Sequence, residues 1–394
     1  MGISRGGDTT YGSLTAEAVC AGHPDKICDQ VADSILDAVL ARDPHALVGC
    51  EASVCGNKLH IFGEITTDNP PDYEAVARQT LREIGYTDPA SEFCADTCQV
   101  DVDVHEQSPD IVCSVKRLAH ADAGAGDAGS IYGFACDETE ELMPLPFAVA
   151  NAMAQRLEEV RRDHSLPYLL PDGKAQVGIE YRHGRPARVA SVMVCAQHAA
   201  DIDIDTVREQ VADQVIRTIV PAQLMDGDTL VYVNPTGRFV KGGPAAKAGL
   251  TGRKTMADTY GSCARWGGSA LSGKDGSKVN RSGAYLARYL AKNIVAAGMA
   301  QRCEVRLSYA LGLADPLTVS VDTLGTAESQ ADDERLTQWV LDNVDMRPAK
   351  IIERFNLRRP LFRALSVHGH FGQNAAQMPW EATDLAGRIA AELR

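Results

Sequence analysis

Residues 47–66 read LVGCEASVCGNKLHIFGEIT and residues 73–85 read YEAVARQTLREIG. Two β-rich runs, LVGCEASV and KLHIFGEIT, flank Gly56-Asn57, a pair suited to a tight hairpin turn. In the second stretch Ala75, Val76, Leu81 and Ile84 share one helical side, and Gly85 stands where a helix stops. The plan is a hairpin followed by a helix. It recurs over 176–219, where QVGIEY and ARVASVMVCA flank His183-Gly184-Arg185-Pro186 and DTVREQVADQVIRTIV reads as the helix. It recurs again over 304–344, with EVRLSYALGL, LTVSVDTLG and the helix DERLTQWVLDNV. The spacing of about 125–130 residues is near the size of a common domain. Three such copies predict an α+β protein of three similar domains, over 12–110, 124–242 and 243–385.

The totals agree with that reading. The chain has 394 residues, 45% hydrophobic and 23% charged, enough for several cores. No apolar run is long enough for a membrane span. The first residues, MGISRGGDTTYG, lack the apolar core of a secretory signal. A formal charge of −14 argues against general nucleic-acid binding. Eleven scattered cysteines, with Cys94 and Cys98 the closest pair, fit thiols of a reducing cytoplasm better than a zinc site.

Polar residues concentrate between the repeats, where chemistry usually sits. Residues 21–44, AGHPDKICDQVADSILDAVLARDP, carry an apolar stripe of Ile27, Val31, Ile35, Leu36 and Val39. Pro24 suits the first helical position, which places His23 and Asp25 at the positive end of that helix. QSPDI at 107–111 leads to GAGDAG at 124–129, glycines that imply close backbone approach, a lid or a flexible linker. Residues 234–281 hold Arg238, Lys241, Lys247, Arg253, Lys254, Lys274, Lys278 and Arg281, a basic island in an acidic protein. Within it GGSALSGKD at 267–275 nearly spells a P-loop, but Asp275 stands where Mg²⁺ needs a hydroxyl. A solvated basic face or a glycine turn is the plain alternative; glycines interleaved with Lys and Arg suit polyphosphate better.

Taken together, GHPDK (22–26), GAGDAG, GRFVKGGP, GLTGRK and SGKDGSKV resemble the methionine adenosyltransferases, or S-adenosylmethionine synthetases, in collinear order from Glu17 to HGHFG at 368–372. The resemblance implies three α+β domains about a pseudo-threefold axis. It implies a homodimer or homotetramer with active sites at the dimer interface. The expected ligands are ATP, L-methionine or a related thioether, two Mg²⁺ per site and K⁺, with no nucleic acid and no membrane. It also implies that the triphosphate, once displaced, is cleaved to phosphate and diphosphate. Carried over residue by residue, His23 lies beside the C5′–O bridge. Lys174, Arg253, Lys254, Lys274 and Lys278 bind triphosphate, and Phe239 stacks on adenine. Asp127, Asp172, Arg238, Ala270, Glu64, Gln107 and Lys247 match ligand-binding positions. Asp25 matches a Mg²⁺ ligand, Glu51 a K⁺ ligand, and Glu17 and Asn280 neighbours of the metals. QSPDI matches the start of a mobile loop.

A thioether sulfur has no proton to lose, so this reaction needs no general base. Its barrier lies in charge growing on the leaving triphosphate, and fixed cations are the main lever. The chain departs from the family pattern at Lys247, usually Asp; at Asn280, usually Asp; at Ala128, usually Gln; at Ser269 and Leu271; and at His105-Glu106. These departures leave open a different thioether acceptor and, from another class, a non-catalytic regulatory paralogue.

Overall fold

The computed structural model describes residues 12–108, 124–328 and 332–393. All three expected hairpins form: β2 (Leu47–Cys55) with β3 (Lys58–Thr66), β6 (Leu169–Arg182) with β7 (Arg185–His198), and β10 (Arg302–Tyr309) with β11 (Thr318–Asp322). The second is longer than its apolar runs suggested. Its turn narrows to His183-Gly184, both at positive φ (50° and 73°), the backbone that matches strand twist in a two-residue hairpin.

A helix follows each hairpin: α2 (Tyr73–Ile84), α4 (Ile204–Val211) and α6 (Asp333–Asn343). Each begins on an aspartate whose carboxylate accepts backbone N–H groups of the first turn: Asp72, Asp203 and Asp332. Gly85 takes φ +116° and closes α2, as its position predicts. The second helix is not the single run expected. A π turn at Ala212–Ile216 interrupts it and leaves both Val215 and Ile216 buried.

Single strands outside the repeats complete the three sheets, and they do so across the sequence. β1 (Ser13–Val19) pairs with β6, β5 (Gly129–Cys136) with β10, and the short β9 (Gly249–Leu250) with β2. Each strand precedes one hairpin in the chain yet joins the sheet of another. β4 (Gln99–His105) and β8 (Leu230–Val233) add parallel edges to β3 and β7. The sheet orders are β1-β6-β7-β8, β11-β10-β5 and β4-β3-β2-β9. Every sheet therefore draws on two of the three sequence segments, and its folding couples them.

α1 (Pro24–Leu40) packs on β2 and β9, α3 (Leu145–Arg162) on β6 and β1, and α5 (Val279–Ala296) on β5 and β10. The expected stripe of α1 is wholly buried, and α5 is buried on every side. Among the described residues no helix is long and apolar enough to cross a membrane.

Candidate active site

The site is organised by α1. Pro24 opens the helix, and His23 caps it from extended backbone with its Nδ1 accepting the Asp25 N–H at 3.2 Å. Behind it β9 approaches so closely that a Cβ on Gly249 would lie 2.2 Å from the Pro24 carbonyl carbon. Four acids recur at every fourth position of α1: Asp25, Asp29, Asp33 and Asp37. Like charges at this spacing repel on an isolated helix, but here the four dock three segments, Asp25 and Asp29 sharing 250–254. Asp25 accepts Leu250 N–H and Lys254 Nζ (3.1 and 2.6 Å), and Asp29 accepts Gly252 N–H. Asp33 takes Gly273 N–H and a two-pronged bond from Arg281, and Asp37 takes N–H groups of Leu361, Phe362 and Arg363. Sequence reasoning singled out only Asp25. An acid at every fourth place on an otherwise apolar helix was the available signal.

The expected site residues fall into two groups. The first surrounds the N-terminus of α1. Lys254 lies on Asp25, and Arg253 Nε is 4.0 Å from the same carboxylate. Lys174 on β6 pairs with Glu17 on β1. Asp172 accepts Gly243 N–H at 2.8 Å. Phe239 is pinned by His198, whose N–H donates to the Phe239 carbonyl and whose ring Nε2 accepts the Phe239 N–H, and Arg238 bonds the Ala200 carbonyl. Ala270 fills the space beside Gly252, where a Cβ would lie 2.4 Å from its own. Lys247 is exposed, yet its charge acts on both His23 and Asp172, so it faces this group.

Electrostatics here are specific. Burial, then the charges of Lys254, Lys247 and Lys174, hold His23 down to about 3 against the opposing pull of Asp25. The 3.9 Å approach of its Nδ1 to the Asp25 carboxylate is therefore no ion pair. The imidazole is neutral, and because Nδ1 is an acceptor, the proton sits on Nε2. Burial raises Asp25 in principle, but the Lys254 bond and charge and the Leu250 N–H hold it below the usual carboxylate range. Burial pushes Asp172 up to about 6, with Gly243 N–H and Lys247 opposing.

The second group lies along β2 and the start of α5. Lys274 forms an isolated antiparallel bridge with Gly49, and a Cβ on Gly49 would touch Glu64. Burial lowers the Lys274 ammonium, with Arg281 and Lys278 adding to the shift and Asp127 and Glu51 opposing it. Asn280 donates to Asp127, and Lys278 bonds Asp275 at 2.5 Å. Gln107 donates its N–H to Thr66 Oγ1 and leaves its own Oε1 buried without a partner. Residues 109–111 of QSPDI lie outside the described residues. No hydrogen bond or ion pair among the described residues joins the two groups.

GGSALSGKD is no P-loop. No strand runs into Gly268; Gly273 N–H is tied to Asp33, and Asp275 exchanges bonds with the Val48 N–H and C=O. The near-match to Walker A is one of spelling, since that loop needs a strand entering and a hydroxyl for the metal.

No group of three His, Cys, Asp or Glu among the described residues is placed to hold a metal by protein ligands alone. The donor set still fits a hard cation. Asp25 presents carboxylate oxygens at the His23 cap, and Mg²⁺ commonly takes one or two carboxylates with the rest from substrate phosphates and water. Glu51 is exposed beside Lys274 and offers the same oxygen chemistry to K⁺.

Family models match nearly the whole chain. The S-adenosylmethionine synthetase N-terminal domain matches residues 12–109, the central domain 122–239 and the C-terminal domain 241–382. With all three domains present in order, the chain belongs to the S-adenosylmethionine synthetase family.

Proposed function

We propose that this protein transfers the 5′-adenosyl group of ATP to the sulfur of L-methionine and cleaves the displaced tripolyphosphate to phosphate and diphosphate. The observation that carries the reading is a neutral, buried His23 ringed by Lys254, Lys247 and Lys174. A neutral imidazole with its proton on Nε2 is a donor to an oxygen, and cations around it stabilise an anion forming there. That is what departure of triphosphate from C5′ requires, while the attacking sulfur needs no base.

The roles follow from position. His23 Nε2–H addresses the bridging oxygen. Arg253, Lys254 and Lys174 take phosphate oxygens in the first group, Lys274 and Lys278 in the second. Phe239 offers a ring face for adenine beside the buried Asp172. Asp25 would hold Mg²⁺, which would neutralise charge on the phosphates, and Glu51 would hold K⁺ as a further fixed charge. We read the complete site as one in which the first group of one copy faces the second group of another, as the resemblance to the family implies; within one chain no hydrogen bond or ion pair among the described residues joins the two. This fits a homodimer or a homotetramer built from it.

The test is incubation with ATP, Mg²⁺, K⁺ and L-methionine, with the product read by mass spectrometry. S-adenosylmethionine and stoichiometric phosphate are expected. Absence of the sulfonium product under every salt condition would remove methionine as the substrate.

One observation favours a second reading, a different thioether acceptor. Lys247 places a cation on the His23–Asp172 side of the site, where an α-ammonium would be repelled. A panel of thioethers decides between the two. Lys247→Asp is expected to lower KM for methionine relative to acidic thioethers; an unchanged ranking clears Lys247 of any part in selection.

A further inference from the structure

A cavity of about 360 Å³ is lined in part by residues 275–277, and the expected site residues are not among its lining. Its walls include Leu40, Leu47, Ile352 and Leu357. Ser277, only 2% exposed, lines it with a buried hydroxyl that has no hydrogen-bond partner among the described residues. Such an orphaned group in a roomy cavity calls for a ligand atom or water.

The charges on the lining are distinctive. Asp43 is occupied by Thr67 Oγ1 and His45 N–H, and Asp275 by Val48, Ser277 and Lys278. Arg358 bonds only the His45 ring, and no acid pairs with it; Asp68 has no cation and no hydrogen bond among the described residues. One half-buried cation, Arg358, and one exposed anion, Asp68, thus line a single cavity of mixed apolar and polar walls without a salt bridge to each other.

We propose that this cavity binds a small zwitterion with an apolar chain, an apolar α-amino acid. Its carboxylate meets Arg358, its ammonium meets Asp68, and its side chain lies among the leucines and Ile352. The volume is at the small end of the range for ligand sites. Asp275 is shared between this cavity and Lys278, so occupancy bears on how firmly Lys278 is held. That consequence rests on the adenosyl-transfer reading; binding does not.

The experiment is ligand-detected NMR titration of the full chain with L-leucine, N-acetyl-L-leucine and L-leucine methyl ester. L-leucine is expected to bind, with each singly charged analogue at least about tenfold weaker, one charge-assisted contact being lost. Arg358→Ala and Asp68→Ala are each expected to weaken leucine by about tenfold with an unchanged melting temperature. His23→Asn is expected to leave leucine affinity intact, which separates this cavity from the adenosyl-transfer site. N-acetyl-leucine binding as well as leucine, indifference to both cavity substitutions, loss of binding in His23→Asn, or no binding at about 10 mM would each overturn the proposal.

Discussion

Arg281 and Lys274 are neighbours, joined by a hydrogen bond from Arg281 Nη1 to the Lys274 carbonyl, yet they carry their charges in opposite ways. Arg281 is fully buried and fully answered. Asp33 takes two of its nitrogens, Tyr285 OH a third, and its guanidinium lies 4.1 Å over Phe362. Burial opposes its charge, but Asp33 outweighs burial and holds it above the usual arginine range. Lys274 has no hydrogen bond or ion pair at its ammonium among the described residues, and burial lowers it. The same division runs through the molecule. Lys26 with Asp29 and Asp258, and Arg288 and Lys292 with Glu381, are closed sets in the interior. At the candidate site the cations are mixed: Lys254, Lys174 and Lys278 each meet one carboxylate, while the Lys274 ammonium meets none among the described residues. A cation left short of partners is free to stabilise an incoming anion, and that deficit singles out Lys274.

The comparison is broken most sharply by removing each member. Lys274→Met is expected to cut the adenosyl-transfer rate by about 10²–10³ while leaving the melting temperature within error. Arg281→Met leaves Asp33 buried without its cation, held by the Gly273 N–H, and is expected to cost about 3–5 kcal/mol of stability. Thermal unfolding and steady-state kinetics on both variants decide. If Lys274→Met unfolds the protein, or Arg281→Met alters only rate, the division between answered and unanswered charge fails.

A smaller effect concerns His23. Its folded value of about 3 lies below the unfolded one near 6.5, so its contribution to stability is present above pH ~6.5 and is lost as pH falls towards ~3. The imidazole therefore does not titrate in the working range. The rate of the native protein is expected to show no inflection near pH 6.5, and His23→Gln to lower kcat by about 10² without reshaping that profile. A histidine inflection in the native profile would show that the surrounding lysines do not hold the ring neutral.

Much of this organisation is legible in the sequence, and the gaps have physical causes. The three hairpin-and-helix units announce themselves through period-2 runs and apolar helical stripes, and the Asp caps sit where those stripes begin. The exchange of β1, β5 and β9 between sheets is invisible, because pairing partners lie far apart in sequence and a two-residue strand such as β9 has no periodicity. α5 is hidden for another reason. Asn280, Arg281, Arg288, Lys292 and Asn293 are buried in it, so charge there signals interior pairing and its apolar pattern is broken. Motifs point to the expected site residues one by one. The separation into two groups follows from which loop each α1 acid holds, which spacing alone does not encode.

Asp172 gives the finest test, because it is the acidic counterpart of Lys274: a buried charge with no cation bonded to it. It accepts Gly243 N–H, while Lys247 acts on it only at a distance. Its folded value, about 6, lies above the unfolded 3.8. Its contribution is therefore fully present below pH ~4 and is lost as pH rises through about 6. Asn keeps a carbonyl oxygen for Gly243 N–H and never ionises. Asp172→Asn is thus expected to match the native protein at pH ~4 and to exceed it at pH ~8 by about 1–3 kcal/mol, read from urea midpoints. If the variant is instead weaker at pH ~8, the carboxylate is answered after all, and Lys247 is the cation whose charge acts on it. That outcome would make Lys247 a structural partner and leave the ammonium of methionine unopposed.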